Sequence, residues 1–238
     1  MRRRLAAASL AAMLPAILGA CRNEAAPAEA AKPTVHVLTS LPLLFDEGFG
    51  LQPAKGEAAT FLRKRYRLKP IDLPSQLPAG GVLLAAQPRA LPAEELVALD
   101  AWVRGGGKLL LLADPMLEWA SKRPLGDRLR PPVSFADTGL LAHWGLRLDA
   151  PDKRGIHYSQ SNGGIAFISP GVLVNVGGNC VIEEGGWMAL CSIGEGRAAI
   201  IADADFLNIE AIFAAKGYPS KNFGIIGPLL SSPVDQVK

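Results

Sequence analysis

The 238-residue sequence predicts an α/β fold, a doubly wound, mainly parallel sheet with a β-rich hairpin insertion in its C-terminal half. Three observations predict it. Strand-like and helix-like stretches alternate between residues 34 and 115. Two of the strand stretches, "GVLLAAQ" and "KLLLLADP", are apolar runs without polar alternation, which is the pattern of strands covered on both faces. After residue 155 the texture changes to short runs rich in Gly, Val, Ile and Ser, which read as short strands and hairpins.

The elements follow in order. "TVHVLTSLPLLF" places Val35 and Val37 in alternation before an apolar run and reads as the first strand. "GEAATFLRKRYRL" spaces Ala58, Phe61, Leu62 and Tyr66 near the helical period with charges between them, so an amphipathic helix is expected. "LKPIDL" is a short second strand closed by Pro74 and Pro78, and "GVLLAAQ" is the third. In "LPAEELVALDAWVRGGGKLLLLADP", Pro92 opens a helix, and Glu94 and Glu95 suit the positive end of its dipole. Leu96, Leu99 and Val103 form one face, Arg104 suits the negative end, and Gly105 to Gly107 stop the helix before a buried strand. These glycines are not a phosphate loop. Such a loop runs from strand through glycines into a helix N-terminus; here a helix C-terminus meets them, and Lys108 is not followed by Ser or Thr. "SFADTGLLAHWGLRLD" predicts a helix from about Phe135, with Leu140, Leu141 and Trp144 on one side and Gly145 as its stop. "GIAFIS", "GVLVNV" and "WMALCSI" are short strands. "GRAAIIADADFLNI" is a last buried strand ending in acidic residues, with a short helix expected near Asn208 to Ala215. The tail from Tyr218 contains "NFGIIGPLLSS", apolar enough to pack.

The first residues lie outside this pattern. Arg2, Arg3 and Arg4 form a positive start, and Leu5 to Ala20 is an apolar stretch too short to span a bilayer, as in a signal peptide. Leu18-Gly19-Ala20-Cys21 then resembles the lipobox of bacterial lipoproteins, in which the cysteine is acylated and becomes the new N-terminus. The resemblance implies a signal peptide over 1–20, a lipidated Cys21 and a membrane anchor on the periplasmic side of the cell envelope. An ordinary secretory signal that adjoins a cysteine is the other reading. Residues 21–33, rich in Ala, Pro and Glu, read as a flexible tether, and the folded domain is expected over 34–238. The net charge is only +3 and no basic stripe with interleaved aromatics appears, so a nucleic-acid partner is not expected.

Cys180 and Cys191 remain. A turn at Gly185-Gly186 sets Glu184 opposite Trp187 and, counting back along both strands, Cys180 opposite Cys191, within disulfide range. A disulfide and a pair of buried free thiols both fit this placement.

Two segments, "LPAEELVALDAWVRGGGKLLLLADP" and "GEGRAAIIADADFLNI", are similar to stretches in the auxiliary domain of gliding-motility-type ABC transport systems and in related domains of unknown function. The resemblance implies a class I glutamine amidotransferase-like, flavodoxin-like fold and an accessory role, with an ABC transporter permease or another envelope protein as partner. Members of the transporter type often carry a C-terminal transmembrane helix; here the N-terminal lipid is expected to serve as the anchor.

Class I amidotransferases use a cysteine on a sharp strand-to-helix turn, assisted by a histidine and an acid. The strand ends here read Gln87-Pro88, Asp114-Pro115 and Asp203-Ala204-Asp205, without Cys or Ser. The expected function is therefore a non-catalytic binding or accessory module without a cofactor. The alternative is a hydrolase, metal-assisted or not, in which Asp114 works with Asp203 or Asp205 at the carboxyl ends of the strands, where open α/β sheets bind ligands. The reading preferred over this alternative is that each residue caps its own turn, Asp114 before Pro115 and Asp205 before Phe206-Leu207-Asn208. Asp114, Asp203 and His157, the last in the polar segment "HYSQSNGG", are the candidate ligand cleft. His36 is expected on a loosely packed strand face and His143 in helix packing. No HxH, HExxH or CxxC pair supports zinc, so no metal site is expected.

Overall fold

A computed structural model describes residues 32–48, 51–159, 164–208 and 221–231. The signal segment, Cys21 and the tether up to residue 31 lie outside the described residues, as does the helix expected near Asn208 to Ala215 from residue 209 onward.

The fold is mixed α/β with a mainly parallel central sheet. The strands are β1 (Thr34–Thr39), β2 (Arg67–Pro70), β3 (Val82–Ala86), β4 (Lys108–Leu112), β5 (Leu146–Asp149), β6 (Ile156–Ser159), β7 (Ile165–Ile168), β8 (Val172–Asn175), β9 (Cys180–Ile182), β10 (Met188–Ile193) and β11 (Gly196–Ile201). The α-helices are α1 (Glu57–Arg65), α2 (Ala93–Arg104), α3 (Leu140–His143) and α4 (Asn222–Ser231). The central sheet runs β2-β1-β3-β4-β11-β10-β9. Its first five strands are parallel, and β10 and β9 continue it antiparallel. Two antiparallel pairs, β5 with β8 and β6 with β7, fill the C-terminal half.

The unbroken apolar strands have the expected cause, since both faces of the sheet are covered. Leu84, Ala86, Leu110, Leu112, Ala199 and Ile201 face one core with Leu62 of α1 and Ile226, Leu229 and Leu230 of α4. Their neighbours Leu83, Ala85, Leu109, Leu111, Ala198 and Ile200 face the other, with Leu99 and Val103 of α2 and Leu140 and Leu141 of α3. Side chains alternate across a strand, so each strand feeds both cores. The glycine cluster after α2 punctuates the chain. Gly105 N–H bonds the Ala101 carbonyl, and Gly106 takes a φ of +100°, a left-handed value that ends the helix without steric cost.

One helix is much shorter than its sequence implies. Residues from Phe135 to Thr138 are not helical, and Gly139 takes a φ of +109°, a left-handed value that an α-helix running on from Phe135 could not contain. Asp137 Oδ1 instead accepts the Gly139 and Leu141 N–H groups at 3.1 and 3.3 Å, and the helix starts only at Leu140.

The hairpin register is the expected one, with Ala189 opposite Ile182, Leu190 opposite Val181 and Cys191 opposite Cys180. The two cysteines form a disulfide. The connection is wider than a two-residue turn: the last hydrogen bond joins Glu183 N–H to the Met188 carbonyl, and a 3-10 turn spans Glu184–Gly186. The bridge closes a sequence separation of 11. Its removal, by reductant or by Cys180→Ser with Cys191→Ser, is expected to cost slightly under about 3 kcal/mol, the loop-closure value for a ring of that size. Urea unfolding with and without reductant checks it.

His36 is not on a loose face; only 5% of it is exposed. Burial is the main reason its pKa falls below the ordinary value of 6.5; Lys69 adds to the effect and a hydrogen bond with the Val82 backbone opposes it. The unfolded chain therefore takes up a proton at a higher pH than the folded one. The stability gained from the neutral ring is present above the unfolded value and is lost as pH falls through 6.5 toward the folded value. His36→Val is expected to flatten this acid-side loss, read as urea midpoints at about pH 7.5 and about pH 5.5.

Candidate functional site

β4 and β11 are parallel neighbours, with Leu112 opposite Ile201, so the residues that follow them emerge at one rim. This register brings Asp114, Asp203 and Asp205 together. One carboxylate oxygen from each lies within 4.8 Å of the other two, and all three residues are 0% exposed.

Backbone N–H groups hold almost every one of these oxygens. Asp114 Oδ1 accepts the Met116 N–H at 2.7 Å, and its Oδ2 accepts those of Ala204 and Asp205 at 3.0 and 3.4 Å. Asp203 Oδ1 accepts the Phe206 N–H at 2.9 Å and Oδ2 that of Ile168 in β7 at 2.7 Å. Asp205 Oδ2 accepts the Glu118 N–H at 2.5 Å. Asp205 is thus not the side chain that caps Phe206; Asp203 takes that place, and Asp205 reaches across to the loop after β4. Asp205 Oδ1 is buried without a hydrogen-bond partner.

Four further residues complete the site, and local pattern signals only one of them. Gln87, at the end of β3, has a φ of +44°; its Oε1 accepts the Asp114 N–H at 2.9 Å and its Nε2 donates to the Asp114 and Pro132 carbonyls, each at 3.1 Å. Its position in Gln87-Pro88 at a strand end was the signal available. Ser169 Oγ donates to Glu118 Oε1 at 2.6 Å and accepts the Gly155 N–H at 2.9 Å. Asn222, at the start of α4, exchanges hydrogen bonds with both backbone groups of Ala166 and donates to the Phe206 carbonyl. The partners of Ser169, Glu118 and Asn222 are remote in the chain and carry no local pattern.

Burial, which penalises the charged form, is the first cause of a raised pKa in all three aspartates. Asp203 is pushed well above the ordinary carboxylate value, with the charges of Asp114 and Asp205 adding to burial and the N–H groups of Ile168 and Phe206 opposing it. Asp205 is pushed up to about 7; the Glu118 N–H and a hydrogen bond with the Asn208 side chain oppose burial, and the charges of Asp114 and Glu118 add to it. Asp114 rises less, because the N–H groups of Ala204, Met116 and Asp205 offset its burial. A side-chain hydrogen bond with Asp203 also opposes the rise of Asp114.

His157 does not join them. It sits on β6 with Nε2 2.9 Å from the Lys153 carbonyl and its ring 5.7 Å from that of Trp187. His143 is a surface residue near Asp100, at 3.6 Å. Cys180 and Cys191, being joined, offer no thiol. Two depressions open near the rim. One, of about 570 Å³, lies between the loops after β1 and β4 and is lined by Leu44, Phe45, Leu51, Arg123 and Leu129 among others. The other, of about 550 Å³, is lined by Met116, Leu117, Glu118, Arg154 and Gly155.

Residues 32–152 match a family model described as an ABC-type uncharacterized transport system, which is half of the chain. The chain belongs to this family. The match runs from β1 through β5 and contains Asp114 but neither Asp203 nor Asp205. Among solved structures, the chain is similar to the exo-β-1,4-mannosidase Op5Man5 from Opitutaceae bacterium strain TAV5, at 15% identity and a TM-score of 0.50, over 84% of this chain and 36% of that one. It is also similar to a β-galactosidase from Rahnella sp. R3, at 11% identity and a TM-score of 0.42, over 80% of this chain and 32% of that one. A cytoplasmic protein of Salmonella typhimurium LT2 matches at 9% identity and a TM-score of 0.42, over 74% of this chain and 93% of that one. The family member thus spans about a third of each glycosidase, and the likeness to the mannosidase is one of fold alone. No curated protein matches the sequence.

Proposed function

We propose that this family member is a non-catalytic lipoprotein on the periplasmic side of the envelope, acting as a binding or accessory module of an ABC transport system. The family match supports the accessory role, and Leu18-Gly19-Ala20-Cys21 supports the lipid anchor. The strand order β2-β1-β3-β4-β11 supports a flavodoxin-like, amidotransferase-like arrangement, since the flavodoxin-like doubly wound sheet runs 2-1-3-4-5.

The observation that carries the non-catalytic part is the state of the rim. Where a doubly wound enzyme presents reactive groups, this chain presents three aspartates that are 0% exposed and tied to backbone N–H groups. Their convergence favours the second reading, a carboxylate-dependent hydrolase. A general base, however, has to come within hydrogen-bond reach of its substrate, directly or through one water. Enclosed carboxylates whose oxygens already accept N–H bonds do not meet that requirement, and the accessory reading is the better one.

Affinity purification of the full chain from detergent-solubilised envelopes tests the proposal. The expected result is co-purification of a membrane permease or its ATPase, lost when Cys21→Ser removes the anchor. Recovery of soluble metabolites alone, with no membrane partner, would overturn it.

A further inference from the structure

We propose that the edge strand β2 and the last turn of α1 form a docking face for an anionic phospholipid bilayer. The location of that bilayer rests on the lipid-anchor reading. The chain as a whole carries a net charge of only +3, yet five of its 25 Lys and Arg residues fall within 63–69. They are Arg63, Lys64, Arg65, Arg67 and Lys69, and no acid occurs between Glu57 and Asp72. Folded surfaces usually intersperse both signs, so a run of one sign sets up a local field.

The fold keeps these cations together and in the open. Among the described residues β2 pairs only with β1, so its other edge faces outward. Lys64, Arg65, Arg67 and Lys69 are all exposed, and none of them joins an ion pair. Leu68 packs on the core that α1 covers, so Arg67 and Lys69 lie on the opposite face of the strand. Cations therefore flank the open edge on both sides, from α1 and from β2. Two ordinary causes account for part of this. A helix carboxyl end favours cations, which covers the last turn of α1. A charge or two on an edge strand deters pairing with another chain. Neither explains five cations without an intervening acid.

The face also adjoins the point where the chain arrives from Cys21. Lys32 Nζ donates to the Arg63 carbonyl at 3.2 Å, and the Arg67 N–H donates to that of Pro33 at 2.9 Å. Residues 22–31 separate Cys21 from Lys32, a span of at most about 40 Å even when extended. A lipid anchor that close gives the patch a high effective concentration at the bilayer. The patch then adds a second contact, which fixes how the domain lies. It sits where β1 and β2 begin, whereas the aspartate rim follows the carboxyl ends of β4 and β11. Docking by this face turns the rim away from the lipid, toward a periplasmic partner. Nucleic acid is the less suited polyanion. Phe61 stacks on Phe223 with ring centroids 4.6 Å apart and holds the Arg65 guanidinium at 4.4 Å, while Tyr66 packs against the core. Neither ring is free to stack a base.

The test uses the full chain carrying Cys21→Ser, so that no acyl anchor contributes. Sedimentation reads its binding to vesicles of phosphatidylcholine, alone or with about a third phosphatidylglycerol. Binding is expected to be far stronger on the anionic vesicles and to fall as NaCl screens it. Lys64→Gln, Arg67→Gln and Lys69→Gln together are expected to weaken it on the order of 100-fold, about fivefold for each cation removed. Lys122→Gln, Arg128→Gln and Lys153→Gln together remove equal charge elsewhere on the exposed surface and are expected to leave it nearly unchanged. Arg2 to Arg4 and the apolar stretch after them are common to every variant, so the comparison reads the patch. Circular dichroism melts check folding; if the patch variant is unfolded, the three substitutions are made singly, each expected to weaken binding about fivefold. Equal loss in the two triple variants, or binding indifferent to lipid charge, overturns the proposal. Tighter binding to single-stranded DNA than to the vesicles, lost with the patch, overturns the choice of lipid. Failure of acylation at Cys21 alters none of these readings, so the docking face and the anchor stand or fall separately.

Discussion

Asp114→Ala is expected to destabilise the domain by about 4 kcal/mol, a large share of a usual total of about 5–15 kcal/mol. The substitution strips three backbone N–H groups, those of Met116, Ala204 and Asp205, of their acceptor. The site is sealed, so water does not replace the lost oxygen without opening the fold. Each orphaned buried donor costs about 1–3 kcal/mol. One effect runs the other way: removing a carboxylate relieves the repulsion that raises Asp203 and Asp205. That relief is a single electrostatic contribution set against three hydrogen bonds, and the bonds win. Asp114→Asn, which keeps one acceptor oxygen and loses the other, should fall between wild type and alanine. Urea unfolding by circular dichroism measures the series. A loss under about 1 kcal/mol for Asp114→Ala would mean that the network is dispensable and that the rim is less tightly made than its hydrogen bonds imply.

How much of this site the sequence discloses depends on the range of each interaction. Asp114 and the pair Asp203 and Asp205 stand at the ends of two apolar strands, and a parallel sheet collects such ends on one rim, so their meeting is readable from pattern. What each aspartate binds is not. Asp205 precedes Phe206 in the chain and is placed to cap it, yet its acceptor serves Glu118, because Asp203 already occupies the Phe206 N–H. The same rule governs the fold. The α2–β4 unit is legible because Pro92, Glu94, Glu95 and the glycines act within a few residues of themselves. The Cys180–Cys191 pairing is legible because a hairpin fixes its own register. The helix expected from Phe135 starts only at Leu140 because Gly139 turns left-handed and Asp137 caps the turn that follows, a choice the apolar spacing does not reveal. His157 belongs to β6, whose partner is β7 rather than the central sheet, and a polar segment says nothing of which strand it will join.

Gly196→Ala is expected to be among the most damaging glycine-to-alanine changes at the described residues, costing more than about 3 kcal/mol. Gly196 opens β11 where the end of α2 crosses it. A Cβ there would lie 1.8 Å from the Val103 carbonyl oxygen and 2.5 Å from that of Gly107. Both obstacles are backbone, and neither can rotate aside as a side-chain tip would. Relief requires α2 to lift from β11, and Val103 is 0% exposed in the core between them. Inserted methyl groups that displace side chains cost about 1–3 kcal/mol, and moving a packed helix costs more. Against a total stability of about 5–15 kcal/mol, the loss is large. Gly224→Ala supplies the comparison. Gly224 lies within α4, where a Cβ meets nothing within 4 Å. There the same methyl should stabilise the helix by about 0.5–1 kcal/mol, the propensity difference between glycine and alanine. Soluble yield and melting temperature separate the two variants. If Gly196→Ala melted within about 2 °C of wild type, the close approach of α2 to β11 would be wrong, and with it the path by which the glycine-stopped helix hands the chain to the sheet.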